Sequence, residues 1–182
     1  MTTYIALLRG INVSGRHKIK MTELKQLFLD LGYHEVTTYI QSGNVVFKSN
    51  IKESILIEDT IIPAISKQFG HAIEVLILTK NELTAIFNSN PFLAKDPTID
   101  ISKLYVTILN KTPDLAGIPT IEILVANSDD EFQLIENAIY LYCSKGYGKT
   151  KLNNNLFEKK LQITATTRNW KTIGKLVELS NQ

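Results

Sequence analysis

The chain has 182 residues, 44% of them hydrophobic, and a net charge of +2. A chain of this length buries roughly 70% of its unfolded surface, so it can build one large domain or two small halves without a metal. Its single cysteine excludes an intramolecular disulfide. The three scattered histidines form no zinc motif, and no apolar run reaches the ~20 residues of a membrane span. No basic region precedes the first apolar run, as it would in a signal peptide. We therefore expect a cytoplasmic protein with no cofactor and no membrane partner.

The beginning of the chain predicts a strand followed by a helix. A short, mostly apolar run over 3–9 fits a strand, and the spacing of apolar residues changes after it. Over 21–32, leucine and phenylalanine recur three and four residues apart, which is the apolar stripe of an amphipathic helix. Thr22 is the expected N-cap of this helix, and Gly32 is its expected stop.

A hairpin, a helix and a strand are predicted next. Strand-forming runs flank Ser42 and Gly43, which together are a two-residue hairpin signal. A helix is predicted over 52–69, and we expect Pro63 to split it, because proline lacks a backbone donor and clashes with the preceding turn. The apolar run 73–78 predicts a buried strand.

The remaining chain repeats this order of elements after a short helix over about 81–88 and a proline-containing segment over 88–100. We therefore expect an N-terminal half over 1–80, a helix and linker over 81–102, and a C-terminal half with a terminal helix over 103–182. The second set of predicted elements comprises strand 103–110, helix 118–127, two strands joined at Glu136 and Asn137, helix 152–161, strand 162–166 and helix 169–180.

The order βαββαβ is that of the ferredoxin-like fold. The sequence thus predicts an α+β protein made of two ferredoxin-like (βαββαβ) α/β-sandwich halves, an apparent duplication, plus a C-terminal helix. In this topology the loop 9–20 and the turn 41–44 lie at the same end of the first sheet. The loop 143–151 and the exit from the last strand, 166–170, share one end of the second sheet.

The first of these loop pairs contains residues suited to binding an anion. Its glycines allow close approach of backbone N–H groups, and its arginines and lysines supply charge. Its amide and hydroxyl side chains add neutral donors. The alternative is structural: the glycines shape a tight loop, the asparagine caps backbone groups, and the basic residues face water. The candidate ligand-binding residues are Arg9, Gly10, Asn12, Gly15, Gln41, Ser42 and Asn44.

The second loop pair combines glycines and lysines before a helix with polar residues after a strand. Its GKT sequence is not a P-loop, because Cys143 stands where that motif requires glycine. We expect this cysteine to be buried as a small hydrophobic residue. Such a loop can still hold a phosphate or a nucleic-acid backbone. The alternative is that the loop is merely exposed to solvent, that Thr167 or Asn169 caps the last helix, and that Arg168 pairs with a carboxylate. The candidate residues are Gly148, Lys151, Thr167, Arg168 and Asn169.

Charge is distributed unevenly along the chain. Residues 113–136 carry six acidic residues and no lysine or arginine, whereas 137–175 carry eight basic residues and one acidic residue. A basic surface of this kind can bind a nucleic-acid backbone, although solvated faces that cancel in space are the alternative. No nucleophile with a base and no metal cluster is indicated, so we assign no catalytic residue and no metal site.

Four separated motifs resemble those of a known family. They are YIALLRGINV with a glycine two residues later, YIQSGNVVF, a Lys-Leu pair before a helix, and ATTRNW followed by a second Lys-Leu pair. Together, from Tyr4 to about Leu179, they closely resemble the bacterial family called domain of unknown function 1697 (DUF1697). The resemblance implies two ferredoxin-like halves and supplies no catalytic residues, because the family's activity is not established.

The resemblance also implies which positions recur in the family. The chain departs from the family pattern at Ser14, where glycine is common, at Lys20, where proline is usual, and at Thr150, where serine is usual. The recurrent motif residues in this sequence would be Arg9, Gly10, Asn12, Gly15, Gln41, Ser42, Gly43, Asn44, Gly148, Lys151, Leu152, Thr167, Arg168, Asn169 and Trp170.

These observations support three alternative functions. The first is a cytoplasmic protein that binds a phosphate-bearing small molecule or nucleotide through its glycine-containing basic loops. The second is a module that binds nucleic-acid backbone without sequence specificity. The third is an interaction or scaffold protein in which the motifs serve folding alone. The sequence favours the first and does not decide whether the protein is an enzyme.

Overall fold

Two four-stranded antiparallel sheets organise the chain in the computed structural model, which describes residues 1–13 and 15–182. Ser14, at which the family pattern changes, lies outside the described residues. The chain divides into a first unit, Met1–Ala85 with Lys175–Gln182, and a second unit, Ile86–Gly174.

The first sheet has the strand order β2-β3-β1-β4, with every neighbouring pair antiparallel. This is the predicted ferredoxin-like arrangement, in which the first strand lies between the third and the fourth. The elements from the start of the chain to the end of the third helix are β1 (Thr2–Leu8), α1 (Met21–Asp30), β2 (His34–Tyr39), β3 (Asn44–Ser49), α2 (Ser54–Phe69), β4 (Val75–Thr79) and α3 (Lys80–Asn88).

The second sheet has the order β6-β7-β5-β8, so its strands occupy the same relative places as those of the first sheet. The predicted α+β fold in two similar halves with a C-terminal helix is therefore confirmed. The remaining elements are α4 (Pro91–Lys95), β5 (Leu104–Leu109), α5 (Ile118–Val125), β6 (Glu131–Ile135), β7 (Ala138–Tyr142), α6 (Asn154–Leu161), β8 (Ala165–Asn169) and α7 (Trp170–Ser180).

The core of each unit contains the apolar face of its sheet and the helices that pack on it. In the first unit, the rings of Phe28, Tyr33 and Phe47 lie 4.7 to 5.8 Å apart between centroids, in tilted and edge-on arrangements. In the second unit, Phe157 of α6 is buried in a cluster with Ile139 of β7. The helical spacing that predicted α1 is thus the spacing of its buried residues, Leu24, Leu27 and Phe28, whereas the buried residues of α6 are Phe157 and Leu161.

Two predictions about the helices are wrong. The N-cap of α1 is Lys20 rather than Thr22, and it makes no side-chain cap hydrogen bond. Pro63 does not split α2: both this proline and Asp59, whose carbonyl group loses its helical partner, are exposed residues. Ile61 and Ile65, on either side of it, are buried and hold both parts of the helix on the sheet. Gly32 has a φ of +84° and ends α1 as predicted.

Three segment boundaries also differ from the sequence prediction. The first hairpin has a four-residue turn, since Tyr39 pairs with Asn44. The segment 88–100 is not all linker: it contains α4, whose N-cap Asn90 accepts hydrogen bonds from two backbone N–H groups of that helix. β8 begins at Ala165, three residues later than predicted, because Gln162 adopts a positive φ of +51° where α6 ends.

A half-buried carboxyl group makes the stability of the first unit depend on pH. Burial raises the pKa of Glu58, the backbone N–H of Ile77 lowers it by donating to Oε1 at 3.0 Å, and the charges of Asp59 and Glu74 raise it. The net shift is upward, so the native state binds this proton more tightly than the unfolded chain does. The resulting stabilisation is present below the unfolded pKa and is lost as the pH rises through the native pKa.

We therefore expect Glu58→Gln to gain stability over the wild type as the pH rises from about 4 to 7, because glutamine keeps an oxygen for the Ile77 N–H without a charge. Urea denaturation at a series of pH values measures this difference. Glu53→Gln, on an exposed residue just before the same helix, is the control for the loss of one carboxylate. A stability difference for Glu58→Gln that is independent of pH would contradict the prediction.

Candidate functional site

The loop that follows β1 is tied to the β2–β3 turn by the side chain of Asn12. Its Nδ2 donates to the carbonyl oxygens of Ile19 and Gln41, both at 2.9 Å, and its Oδ1 accepts from the Ile19 N–H at 2.9 Å. Asn12 also has a positive φ of +55°, a conformation that asparagine tolerates better than most residues. The prediction that the loop 9–20 and the turn 41–44 share one end of the sheet is confirmed.

The turn itself is closed by Asn44, which is fully buried. Its Nδ2 donates to the Tyr39 carbonyl and to the Ser42 hydroxyl, each at 3.0 Å. The carbonyl of Gly43 accepts from the backbone N–H of Leu8 at 2.8 Å, which fastens the turn to the end of β1. The side-chain amides of Asn12 and Asn44, which the sequence offered as ligand donors, are thus engaged in local hydrogen bonds.

The remaining candidates of the first loop pair lie around this framework. Arg9 is half-buried, and its backbone N–H donates to the Glu74 carbonyl at 2.9 Å. Gly10 and Gly15 are exposed and have positive φ values of +68° and +76°. Gln41, whose backbone carbonyl accepts from Asn12, is exposed, so its side chain is accessible. The ligand-binding role of these residues stays a prediction.

Replacing Asn12 tests whether this residue fastens the loop. We expect Asn12→Ala to lower the free energy of unfolding by about 2 kcal/mol, because three hydrogen bonds are lost and alanine is strained at positive φ. We expect Asn12→Asp to cost at least as much, because a carboxylate oxygen would replace Nδ2 and face the carbonyl oxygens of Ile19 and Gln41 without a hydrogen to donate. Urea denaturation measures both variants, and an Asn12→Ala variant within about 0.5 kcal/mol of the wild type would contradict this account.

In the second unit, the loop 143–151 is anchored to the sheet through the hydroxyl of Thr167. This hydroxyl donates to Asn154 Oδ1 at 2.6 Å, receives a hydrogen bond from the Tyr147 hydroxyl at 3.1 Å, and lies 2.7 Å from the hydroxyl of Thr107. One donor and two acceptor sites are all that a hydroxyl has, so these three partners use its full capacity. The ring of Tyr147 also lies 5.2 Å from that of Tyr105, between centroids.

These contacts confirm that the loop 143–151 and the end of β8 share one end of the second sheet. They also identify residues that the sequence analysis missed, namely Tyr147, Asn154 and Thr107. Tyr147 lies inside the loop that was singled out, and its position next to Gly148 was the available signal. Thr107 gave no signal, because only the register of β5 against β8 brings it opposite Thr167.

The start of the loop is held by a carboxylate. Asp130 Oδ1 accepts from the backbone N–H of Ser144 at 2.8 Å and from its hydroxyl at 2.9 Å. Burial raises the pKa of Asp130, but hydrogen bonding by Thr150 and Ser144, with the charge of Lys145, lowers it below the ordinary value. Asp130 therefore carries its charge at neutral pH and fixes the first turn of the loop.

Cys143, at the base of the same loop, is a buried thiol as predicted. Burial and, less strongly, the charge of Asp130 raise its pKa to about 11, while hydrogen bonding by Thr150 lowers it. The thiol is therefore protonated at neutral pH, whereas a reactive cysteine requires the thiolate. This residue serves the core rather than nucleophilic chemistry.

Arg168 is buried, with 7% of its surface exposed. Its Nη1 donates to the Thr166 hydroxyl at 2.8 Å and to the Thr167 carbonyl at 2.9 Å. Burial lowers its pKa to about 10, and the nearby Tyr147 opposes this shift. Its guanidinium group thus holds the backbone of β8 beside the residue that anchors the loop.

The exposed residues of this region are the lysines and Gly148 on the loop and Asn169 at the end of β8. A Cβ atom on Gly148 would meet nothing within 4 Å, so the backbone there is open to an approaching group. Asn169 is an exposed residue and caps α7, as the sequence suggested, by accepting from the Thr172 N–H at 2.8 Å. Of the predicted ligand residues of the second unit, Arg168 is buried, Thr167 is partly buried, and the other three form an exposed rim.

The part of the chain that the structure describes, 1–13 and 15–182, offers neither a metal-binding cluster nor a membrane-spanning helix. These residues contain no group of three or more histidine, cysteine, aspartate or glutamate side chains placed to hold a metal ion. None of their helices combines the length and hydrophobicity needed to span a membrane.

Comparison with known proteins gives a match to a family and to solved structures. The family described as "Protein of unknown function (DUF1697)" matches residues 1–140. The solved structure of conserved bacterial protein SP0830 from Streptococcus pneumoniae is similar to this chain, with a TM-score of 0.74 and 23% identity over 98% of each chain. At that identity the likeness supports the fold alone. No curated protein matches the chain.

Proposed function

Since the chain belongs to the DUF1697 family, whose function is unknown, we propose from the geometry of the second unit that it binds a phosphate-bearing small molecule or nucleotide at the loop 143–151. The single observation that carries this proposal is an anchored loop with exposed lysines. Asp130 holds its start and Thr167 holds its middle, whereas Lys149 and Lys151 are exposed.

Anchoring matters because a rigid loop loses little conformational entropy when a ligand binds. Among the described residues, Lys149 and Lys151 form no ion pair, so their ammonium groups do not have to give up a carboxylate to meet a phosphate. Gly148, between Tyr147 and Lys149, lets the oxyanion approach the backbone closely. Charge-assisted hydrogen bonds of this kind are about twice as strong as neutral ones.

The candidate residues then have two kinds of role. Gly148, Lys149 and Lys151 contact the phosphate, and the amide nitrogen of Asn169 supplies a neutral donor at the end of β8. Thr167 has no hydrogen-bonding capacity left and Arg168 is buried, so we assign both to positioning the loop. In the first unit, Asn12 and Asn44 are given the same structural role by their local hydrogen bonds.

Isothermal titration of the protein with inorganic pyrophosphate, ATP and GTP tests the proposal. We expect at least one of these probes to bind, and the double variant Lys149→Ala/Lys151→Ala to weaken its binding about tenfold or more, which corresponds to about 1.4 kcal/mol. The matched control is Lys159→Ala/Lys160→Ala, which removes the same charge from α6. Absence of binding by all three probes, or an equal loss in the control variant, would refute the proposal.

The dependence on salt distinguishes the nucleic-acid alternative. Binding of pyrophosphate through two lysines should weaken modestly between 50 and 200 mM salt, whereas an oligonucleotide that contacts many phosphates should lose affinity by orders of magnitude. A protein that binds a single-stranded oligonucleotide with such a steep slope, and binds none of the small probes, would support the alternative instead.

A further inference from the structure

A groove in the second unit lies between α5 and β6, apart from the loop 143–151. Its volume is about 720 Å³. Most of the side chains that line it are apolar, and three are acidic. The lining residues used in this argument are Ile118, Pro119 and Val125 of α5, Phe132 and Leu134 of β6, and the acidic Glu122, Asp130 and Glu131.

The apolar surface extends beyond the groove onto the outer side of α5. Ile123 lies one helical turn after Pro119 and has 75% of its surface exposed. Leu115, which lines the groove just before α5, is 60% exposed. An apolar surface of this kind on a folded protein is typical of a protein-binding site.

β6 is an edge strand, because its only strand neighbour in the described sheet is β7. In an antiparallel pair, alternate residues direct their N–H and C=O groups away from the partner, so the outer edge of β6 offers backbone donors and acceptors. The segment Glu131–Ile135 is long enough for an extended peptide to add as a fifth strand, with its side chains alternating between the groove and solvent.

The charge of this surface selects the partner. Residues 113–136 carry six acidic residues and no basic one. Lys145 lies close enough to Asp130 to lower its pKa, and the backbone of Lys160 lies beside Gly117, but neither lysine lines the groove. Two copies of this chain paired through β6 would bring two acidic rims together, which disfavours self-association there.

We infer that the edge of β6 and the adjoining α5 groove bind an extended segment of a partner protein in which apolar residues alternate with lysine or arginine. Backbone hydrogen bonds to β6 provide affinity, the apolar groove selects every second side chain, and the acidic rim favours basic residues between them. Asp130 lines the groove and also anchors the loop 143–151, but Lys149 and Lys151 do not line the groove, so Lys149→Ala/Lys151→Ala should leave peptide binding unchanged.

A fluorescent eight-residue peptide of alternating lysine and valine is the probe, and a peptide of alternating glutamate and valine is its control. At 50 mM salt we expect the first to bind the protein and the second not to bind. Glu131→Lys should weaken binding about fivefold or more, because it reverses a charge on the rim of the groove. Asp59→Lys, an equal charge change on α2 in the first unit, should alter affinity less than about twofold.

Hydrogen exchange identifies the mode of binding. The lysine–valine peptide should slow exchange of backbone amides in β6 and leave those of β2, the corresponding edge strand of the first sheet, unchanged. No binding, equal sensitivity to Glu131→Lys and Asp59→Lys, or no added protection in β6 would overturn the inference. Concentration-dependent dimerisation that Glu131→Lys alters would overturn it in favour of a second copy of this chain.

Discussion

Gly43→Ala is expected to lower the free energy of unfolding by about 3 kcal/mol. Gly43 has a φ of +72°, where a side chain is strained by about 1 kcal/mol or more. A Cβ atom there would also lie 2.8 Å from Leu8 Cβ and 2.7 Å from Ile11 Cδ1. Leu8 Cβ is fixed to a buried strand and cannot move aside, so overpacking adds to the backbone strain.

Gly10→Ala separates the two contributions. Gly10 has a nearly identical φ of +68°, but a Cβ atom there would meet nothing within 4 Å. We expect this variant to lose only about 1 kcal/mol, so the difference between the two glycines reports the contact with Leu8 and Ile11. Urea denaturation of both variants gives the two values, and equal losses would show that packing at Gly43 does not matter.

Arg168→Ala is the second substitution with a large expected effect. The change removes the two hydrogen bonds from Nη1 and leaves the Thr166 hydroxyl and the Thr167 carbonyl without this donor in a buried environment. It also leaves a cavity where the side chain was. We expect a loss of about 3 kcal/mol or more in the free energy of unfolding, since hydrogen bonds to charged groups and buried volume both contribute.

The matched control is Arg16→Ala, because Arg16 is exposed. This variant should stay within about 0.5 kcal/mol of the wild type. Thermal or urea unfolding measures both variants. If Arg168→Ala kept the wild-type stability but bound pyrophosphate more weakly, Arg168 would act as a direct ligand rather than as the positioning residue assigned here.

The element order, and with it the fold, could be predicted because each element has a local signature. Each signature depends only on residues that are close together in the sequence, as in the apolar spacing of α1 and the turn residues after β2. Pro63 was predicted wrongly for a physical reason: the sequence does not show that this proline faces solvent while Ile61 and Ile65 anchor the helix.

The sites were predictable only in part. The loop pairs follow from topology, which is why Asn12 and Gln41 lie together as expected. The sequence does not show how hydrogen-bonding capacity is used. Thr167 has the right chemistry for a ligand donor, but its hydroxyl is occupied by Asn154, Tyr147 and Thr107. Such contacts depend on strand register, which is set by the whole sheet.

The central claim, that the loop 143–151 is a phosphate site, is tested most directly by NMR titration of isotope-labelled protein with inorganic pyrophosphate. We predict saturable changes in chemical shift that are largest at the backbone amides of Gly148, Lys149 and Lys151. The amides of Lys159 and Lys160, which carry the same charge on α6, should change little. No saturable change in the loop, or equal changes in every lysine-bearing segment, would contradict the claim.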